Sequence, residues 1–148
     1  MVEEKPFNCA EKVLLNANNT LQLPDIKPCL KMASGCGGGV SGRGSICGAL
    51  NGGVMALGLQ FGTDGSETLD TFTQKRKQLR ALSLDFLMAF EEEFGTIECR
   101  ELLGYELWTE NGTKQYQAAK AAGLTKCQDY IAFSSALITK LLKTRSLH

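Results

Sequence analysis

Twelve of the 16 glycines in this 148-residue chain fall between positions 35 and 65, and that clustering restricts the fold more than any other feature. The first part, Gly35-Cys36-Gly37-Gly38-Gly39-Val40-Ser41-Gly42-Arg43-Gly44, cannot form a regular helix, because glycine loses too much backbone freedom there. From Ser45 onward the pattern changes. Cys47, Leu50, Val54 and Leu57 recur at helical spacing, which predicts a glycine-rich helix. Gly44, Gly48 and Gly52 are spaced by four and would line a smooth groove open to another helix or to a ligand. Gly48 and Gly52, inside the predicted helix, are the candidate cofactor-binding positions.

The remaining segments also read as helices. One is expected over about 8–16, stopped by Asn18-Asn19, and a short one after Pro24-Asp25 with Pro28 in its first turn, where a missing N–H costs nothing. The longest is predicted over about 67–93, with Phe72, Leu79, Leu82, Phe86 and Phe90 as its apolar stripe. Shorter helices follow over 97–103 and 116–122, stopped by Gly104 and Gly123, and a final one over about 126–143. No segment sustains the alternation of a strand. The expected fold is therefore all-α, a compact multi-helix single domain spanning 1–148.

Composition removes several function classes. Lys plus Arg equals Asp plus Glu at 16 each, so there is no basic excess to attract nucleic acid. The N-terminus, Met1-Val2-Glu3-Glu4-Lys5-Pro6, lacks the apolar run of a signal peptide. The most apolar stretch, 46–61, is shorter than the roughly 20 residues a membrane span needs. The expectation is a cytoplasmic protein with no direct membrane insertion, in a compartment where thiols stay reduced. Its six cysteines then read as ligands or redox groups rather than structural disulfides. The only histidine is His148, which leaves no imidazole base for a Cys-His or Ser-His-Asp mechanism.

Four cysteines share one structural address. Cys9 follows Asn8, Cys47 follows Ser45 by two, Cys99 follows Thr96 by three, and Cys127 follows Thr125 by two, Thr125 pairing with Gln128 in a capping-box pattern. Each would sit in the first turn of a helix, where free N–H groups and the positive dipole end favour an anion and lower a thiol pKa. Each also begins an apolar stripe, so all four point toward the core. A single buried cysteine is more often a small hydrophobe; four at one kind of position favour a shared site. Cys29, beside Pro28, and Cys36, among the glycines, are weaker candidates, Cys36 as an auxiliary ligand or resolving thiol.

The segment Cys47-Gly48-Ala49-Leu50-Asn51-Gly52 reads as C-G-A-x-x-G. With Asn8-Cys9-Ala10 before it, and Cys99-Arg100-Glu101-Leu102-Leu103-Gly104 and Cys127 after it, the chain resembles the C-GCAxxG-C-C family of redox-active proteins over nearly its whole length. The resemblance implies that Cys9, Cys47, Cys99 and Cys127 are the family's four hallmark cysteines and that the role is redox. Cys36 departs from the family pattern. Relatives can carry c-type haem, but this chain has no C-x-x-C-H, so no covalent haem is expected.

Four chemistries follow as expectations. Cys9, Cys47, Cys99 and Cys127 could ligate an iron–sulfur cluster used in electron transfer or redox sensing. Two of the cysteines could cycle between thiol and disulfide, with Cys47 as nucleophile because the preceding glycines leave it accessible. The four could hold a structural zinc. The glycine segment could serve a small ligand, through Gly37-x-Gly39-x-x-Gly42 or through Arg43 holding an anion, although no strand precedes it as a dinucleotide site requires. A redox partner is implied, and a second copy of the chain is a candidate partner.

Overall fold

The computed structural model describes residues 4–145, so His148 lies outside the described residues. Within them are seven helices and no strand, only an isolated antiparallel bridge between Ile46 and Glu98. The helices are α1 (Cys9–Leu21), α2 (Lys27–Ala33), α3 (Gly48–Phe61), α4 (Leu69–Phe94), α5 (Cys99–Leu103), α6 (Glu110–Ala121) and α7 (Cys127–Arg145). The all-α reading holds.

The core is built where α1, α3 and α7 pack on one another, with α4 laid against α3 and α7. Val13, Leu14 and Ala17 of α1, Leu50 and Leu57 of α3, and Ile138 and Leu142 of α7 are fully buried together. The stripe of α4 delivers Leu82, Phe86 and Phe90 to the same core. Phe90 and Phe94 meet Tyr130 and Phe133 of α7 at ring separations of 4.8–6.1 Å, in the tilted and edge-on geometries that aromatic quadrupoles favour.

Several boundaries differ from expectation, each for a local reason. Helix α1 runs through Asn18-Asn19 rather than stopping there. Asn18 works from inside the helix, its carbonyl accepting from Gln22 N–H and its side-chain oxygen from Leu23 N–H, while Gln22 takes the left-handed conformation at φ 54° that ends the helix. Helix α6 begins well before residue 116, because Thr109 caps it by accepting from Gly112 N–H at 2.9 Å. Helix α3 starts at Gly48, not near Ser45. The residues before it are drawn into the bridge, with Cys99 N–H donating to Ser45 O at 2.7 Å and Cys47 N–H to Ile97 O at 2.9 Å.

Gly44 is therefore outside the helix, at φ +83°, against Arg100 and Trp108. The three-glycine groove reduces to Gly48 and Gly52, and α1 fills it. A Cβ at Gly52 would meet the Ala10 carbonyl oxygen and lie 2.9 Å from Ala10 Cα; one at Gly48 would lie 3.1 Å from Cys9 Cβ. The four-residue spacing serves a helix crossing, as small residues do wherever backbones approach closely.

The segment before α3 is a left-handed turn. Gly38, Gly39, Val40, Ser41 and Gly42 all have φ between +52° and +77°. Val40 is a β-branched residue in a region such residues rarely enter, held by hydrogen bonds such as Ser41 N–H to Gly35 O at 2.8 Å and Gly44 N–H to Gly38 O at 3.0 Å.

Candidate functional site

The four helix-start cysteines line one cavity of about 570 Å³. Cys9, Cys99 and Cys127 are the first residues of α1, α5 and α7, and Cys47 is the cap residue of α3. Local chemistry fixes each of them. Asn8 and Glu11 form a reciprocal capping box, Asn8 Oδ1 accepting from Glu11 N–H and Glu11 Oε1 from Asn8 N–H, both at 2.9 Å. The Asn8 amide also donates to Ala33 O and Ser34 O, binding the start of α1 to the end of α2. The Ile46–Glu98 bridge sets Cys47 beside Cys99. Tyr130 Oη–H donates to Leu102 O at 3.3 Å and ties α5 to α7.

Within the cavity the ionisations of Cys9 and Cys127 are coupled, Cys9 acting as the hydrogen-bond donor and Cys127 as the acceptor. Tyr116 Oη–H donates to the same sulfur, and Lys120 and Lys12 add positive charge nearby. These partners hold the Cys127 thiol down at about 6 against an ordinary value of 9.0, chiefly through the Cys9 hydrogen bond and in spite of partial burial. The same hydrogen bond raises Cys9 far above its ordinary value, with burial adding to it. One thiolate shared between two sulfurs is the electrostatic centre of the site.

The expectation that a helix start lowers all four thiols is corrected here. Cys47 does receive backbone N–H groups, from Ala49 and Leu50, but burial outweighs them and its pKa is raised. Burial pushes Cys99 up to about 12. Cys47, favoured from sequence as the accessible nucleophile, is 4% exposed and holds its proton. Access and charge both belong to Cys127.

Tyr116, Lys12 and Lys120 escaped the sequence reading. A faint signal existed: Lys12 lies one turn beyond Cys9 on α1, and Tyr116 and Lys120 lie one turn apart on α6. Replacing Tyr116 by phenylalanine removes a donor to the thiolate, so the Cys127 pKa should rise by about one unit, the usual worth of a charge-assisted hydrogen bond at a half-buried site. Alkylation rate against pH, read on the Cys127 peptide, measures it.

Other candidates stand elsewhere. Cys29 and Cys36 are half-buried against the core and do not border the cavity. Gly48 borders it; Gly52 does not, being covered by α1. Arg43 lays its guanidinium over the Trp108 ring at 4.3 Å instead of aiming at an anion. The Gly37-x-Gly39-x-x-Gly42 stretch follows a helix and coils left-handed, so it lacks the strand-turn-helix of a dinucleotide loop. Among the described residues no three His, Cys, Asp or Glu side chains are grouped so as to hold a metal ion. No helix among those residues is long and apolar enough to cross a membrane.

No curated protein and no solved structure matches the chain. A family model described as "Putative redox-active protein (C_GCAxxG_C_C)" matches residues 7–141, a span that contains all four cavity cysteines, and the chain belongs to that family.

Proposed function

We propose that the protein is a dithiol–disulfide redox protein in which Cys127 is the attacking thiolate and Cys9 the resolving thiol. The observation that carries this reading is the placement of Cys9 and Cys127 on the wall of one cavity, their ionisations coupled so that Cys9 holds its proton and Cys127 gives its up. The Cys127 thiolate attacks one sulfur of a substrate disulfide, forming a mixed disulfide and expelling the other sulfur as a thiolate. Cys9 then gives its proton to solvent or to the departing thiolate and attacks Cys127 Sγ. The second substrate thiolate leaves, and a Cys9–Cys127 disulfide remains. Two electrons pass from protein to substrate, and a dithiol reductant restores the protein.

A value near 6 leaves most of the Cys127 population ionised at neutral pH without making the sulfur a poor nucleophile. Tyr116 steadies the thiolate before attack and can donate to the group displaced from it.

The test is stoichiometric oxidation of the fully reduced chain by a neutral small disulfide, bis(2-hydroxyethyl) disulfide. Two thiols should be lost, and peptide mapping should find them joined as Cys9–Cys127. Unchanged thiol number, or a crosslink between other cysteines, would overturn the assignment. A second reading draws on the four cysteines around one cavity: rearranged, they would suit an iron–sulfur cluster or zinc. Anaerobically prepared protein carrying stoichiometric iron with labile sulfide, or stoichiometric zinc, would put that reading in place of the first.

A further inference from the structure

The cavity that holds the cysteines is bordered by two lysines, Lys12 and Lys120, and by no aspartate or glutamate. The chain as a whole balances 16 basic against 16 acidic residues, so this is a local excess rather than a reflection of composition. Neither lysine is in an ion pair among the described residues. The Cys127 thiolate neutralises one positive charge, which leaves one over. Leu102, Leu103 and Leu107 add hydrocarbon to the lining. Apolar walls with a few placed charges are the usual build of a small-molecule site, and low-dielectric walls strengthen the field those charges project.

We infer that the cavity takes a low-molecular-weight disulfide bearing carboxylates, with Lys12 and Lys120 receiving the carboxylates and the hydrocarbon wall the rest of the molecule. The inference rests on the Cys127–Cys9 reading and names its substrate class. A cavity of about 570 Å³ holds a molecule the size of a short peptide. The half-buried Cys127 is reached from inside it, which favours a small substrate over a disulfide in a folded protein. The chemistry balances as above: the substrate S–S bond breaks, two small thiols leave with the two electrons, and the Cys9–Cys127 bond forms.

The test compares three disulfides on the reduced full-length chain: oxidised glutathione (anionic), bis(2-hydroxyethyl) disulfide (neutral) and cystamine (cationic). Each single-turnover rate is divided by that compound's rate with free 2-mercaptoethanol, which removes intrinsic reactivity. The normalised order should be anionic, neutral, cationic, with about a tenfold span between the first two at low ionic strength that shrinks as salt is added. The Lys12→Gln/Lys120→Gln variant should compress the span to near unity. All three compounds meet the same thiolate, so any change in Cys127 ionisation cancels in the ratio. A span that ignores salt, a span the double variant leaves intact, or cystamine reacting as fast as oxidised glutathione would overturn the inference. Should the double variant fail to fold, the wild-type salt dependence decides alone. Failure of the neutral compound to join Cys9 to Cys127 would sink the underlying redox reading instead, whatever the charge order.

Discussion

Cys127→Ser is expected to slow disulfide reduction by the protein about a thousandfold, because a serine hydroxyl stays protonated and cannot replace a thiolate nucleophile. Cys9→Ser should behave differently. Its hydroxyl can still donate to Cys127, so attack proceeds, but nothing resolves the mixed disulfide. The variant should trap one half of the substrate on Cys127 as a mass adduct. Cys47→Ser should leave the rate within a few-fold, since Cys47 is buried and protonated. Intact-protein mass spectrometry and single-turnover kinetics separate the three outcomes; a Cys47→Ser variant as inactive as Cys127→Ser would return the nucleophile to Cys47. The wild-type rate should climb with pH through about 6 and level off above it, whereas an ordinary thiol climbs toward 9.0. Stability of the reduced protein carries the same signature. Between about 6 and 9.0 the unfolded chain holds a proton on Cys127 that the folded chain has lost, so stability rises with pH across that window and falls away as pH drops through 6. Above 9.0 the sign reverses, because burial keeps Cys99 protonated to about 12 in the folded chain while the unfolded chain ionises.

The fold is legible in the sequence where the signal is local. Gly95, Gly104 and Gly123 stop helices because they supply the left-handed φ of +85°, +77° and +72° that a helix end needs, and a glycine after an apolar stripe is visible in one dimension. The four helix-start cysteines were legible for the same reason. Which of them ionises was not. A helix start acts on each thiol only through its own first turn, and at Cys47 burial outweighs even two backbone N–H groups. What separates Cys127 from Cys47 and Cys99 is burial, a sulfur from α1 and a phenol from α6, all fixed by packing. Gly44 reads as the first member of a groove with Gly48 and Gly52 because a spacing of four cannot show that Ser45 is held by Cys99 across a bridge. Val40 carries no mark that it will sit at φ +67°; its glycine neighbours set the turn, and it follows.

The link between fold and site is tight enough that one methyl group on α3 should disturb the thiolate. Gly52→Ala would set a Cβ against the Ala10 carbonyl and within 3.0 Å of its carbon, in a backbone contact with no flexible side chain to yield. Helix α1 must move away from α3, and Cys9, one residue before Ala10, moves with it. The expected cost is about 3 kcal/mol, the upper part of the usual range for overpacking, or a fall in Tm of roughly ten degrees for a chain of this length. The chemistry should change as well. With Cys9 withdrawn, Cys127 loses its principal donor, its pKa climbs from about 6, and the yield of the Cys9–Cys127 crosslink drops. Gly58→Ala is the control, because the same substitution on the same helix meets nothing within 4 Å. There the methyl removes only the backbone freedom of glycine in the unfolded chain, so stability should rise by about 0.5–1 kcal/mol with Cys127 unchanged. Thermal melts together with Cys127 alkylation curves on the two variants make the comparison. A Gly52→Ala protein that melts with the wild type and keeps a Cys127 pKa near 6 would show that the α1–α3 crossing does not hold the two sulfurs together.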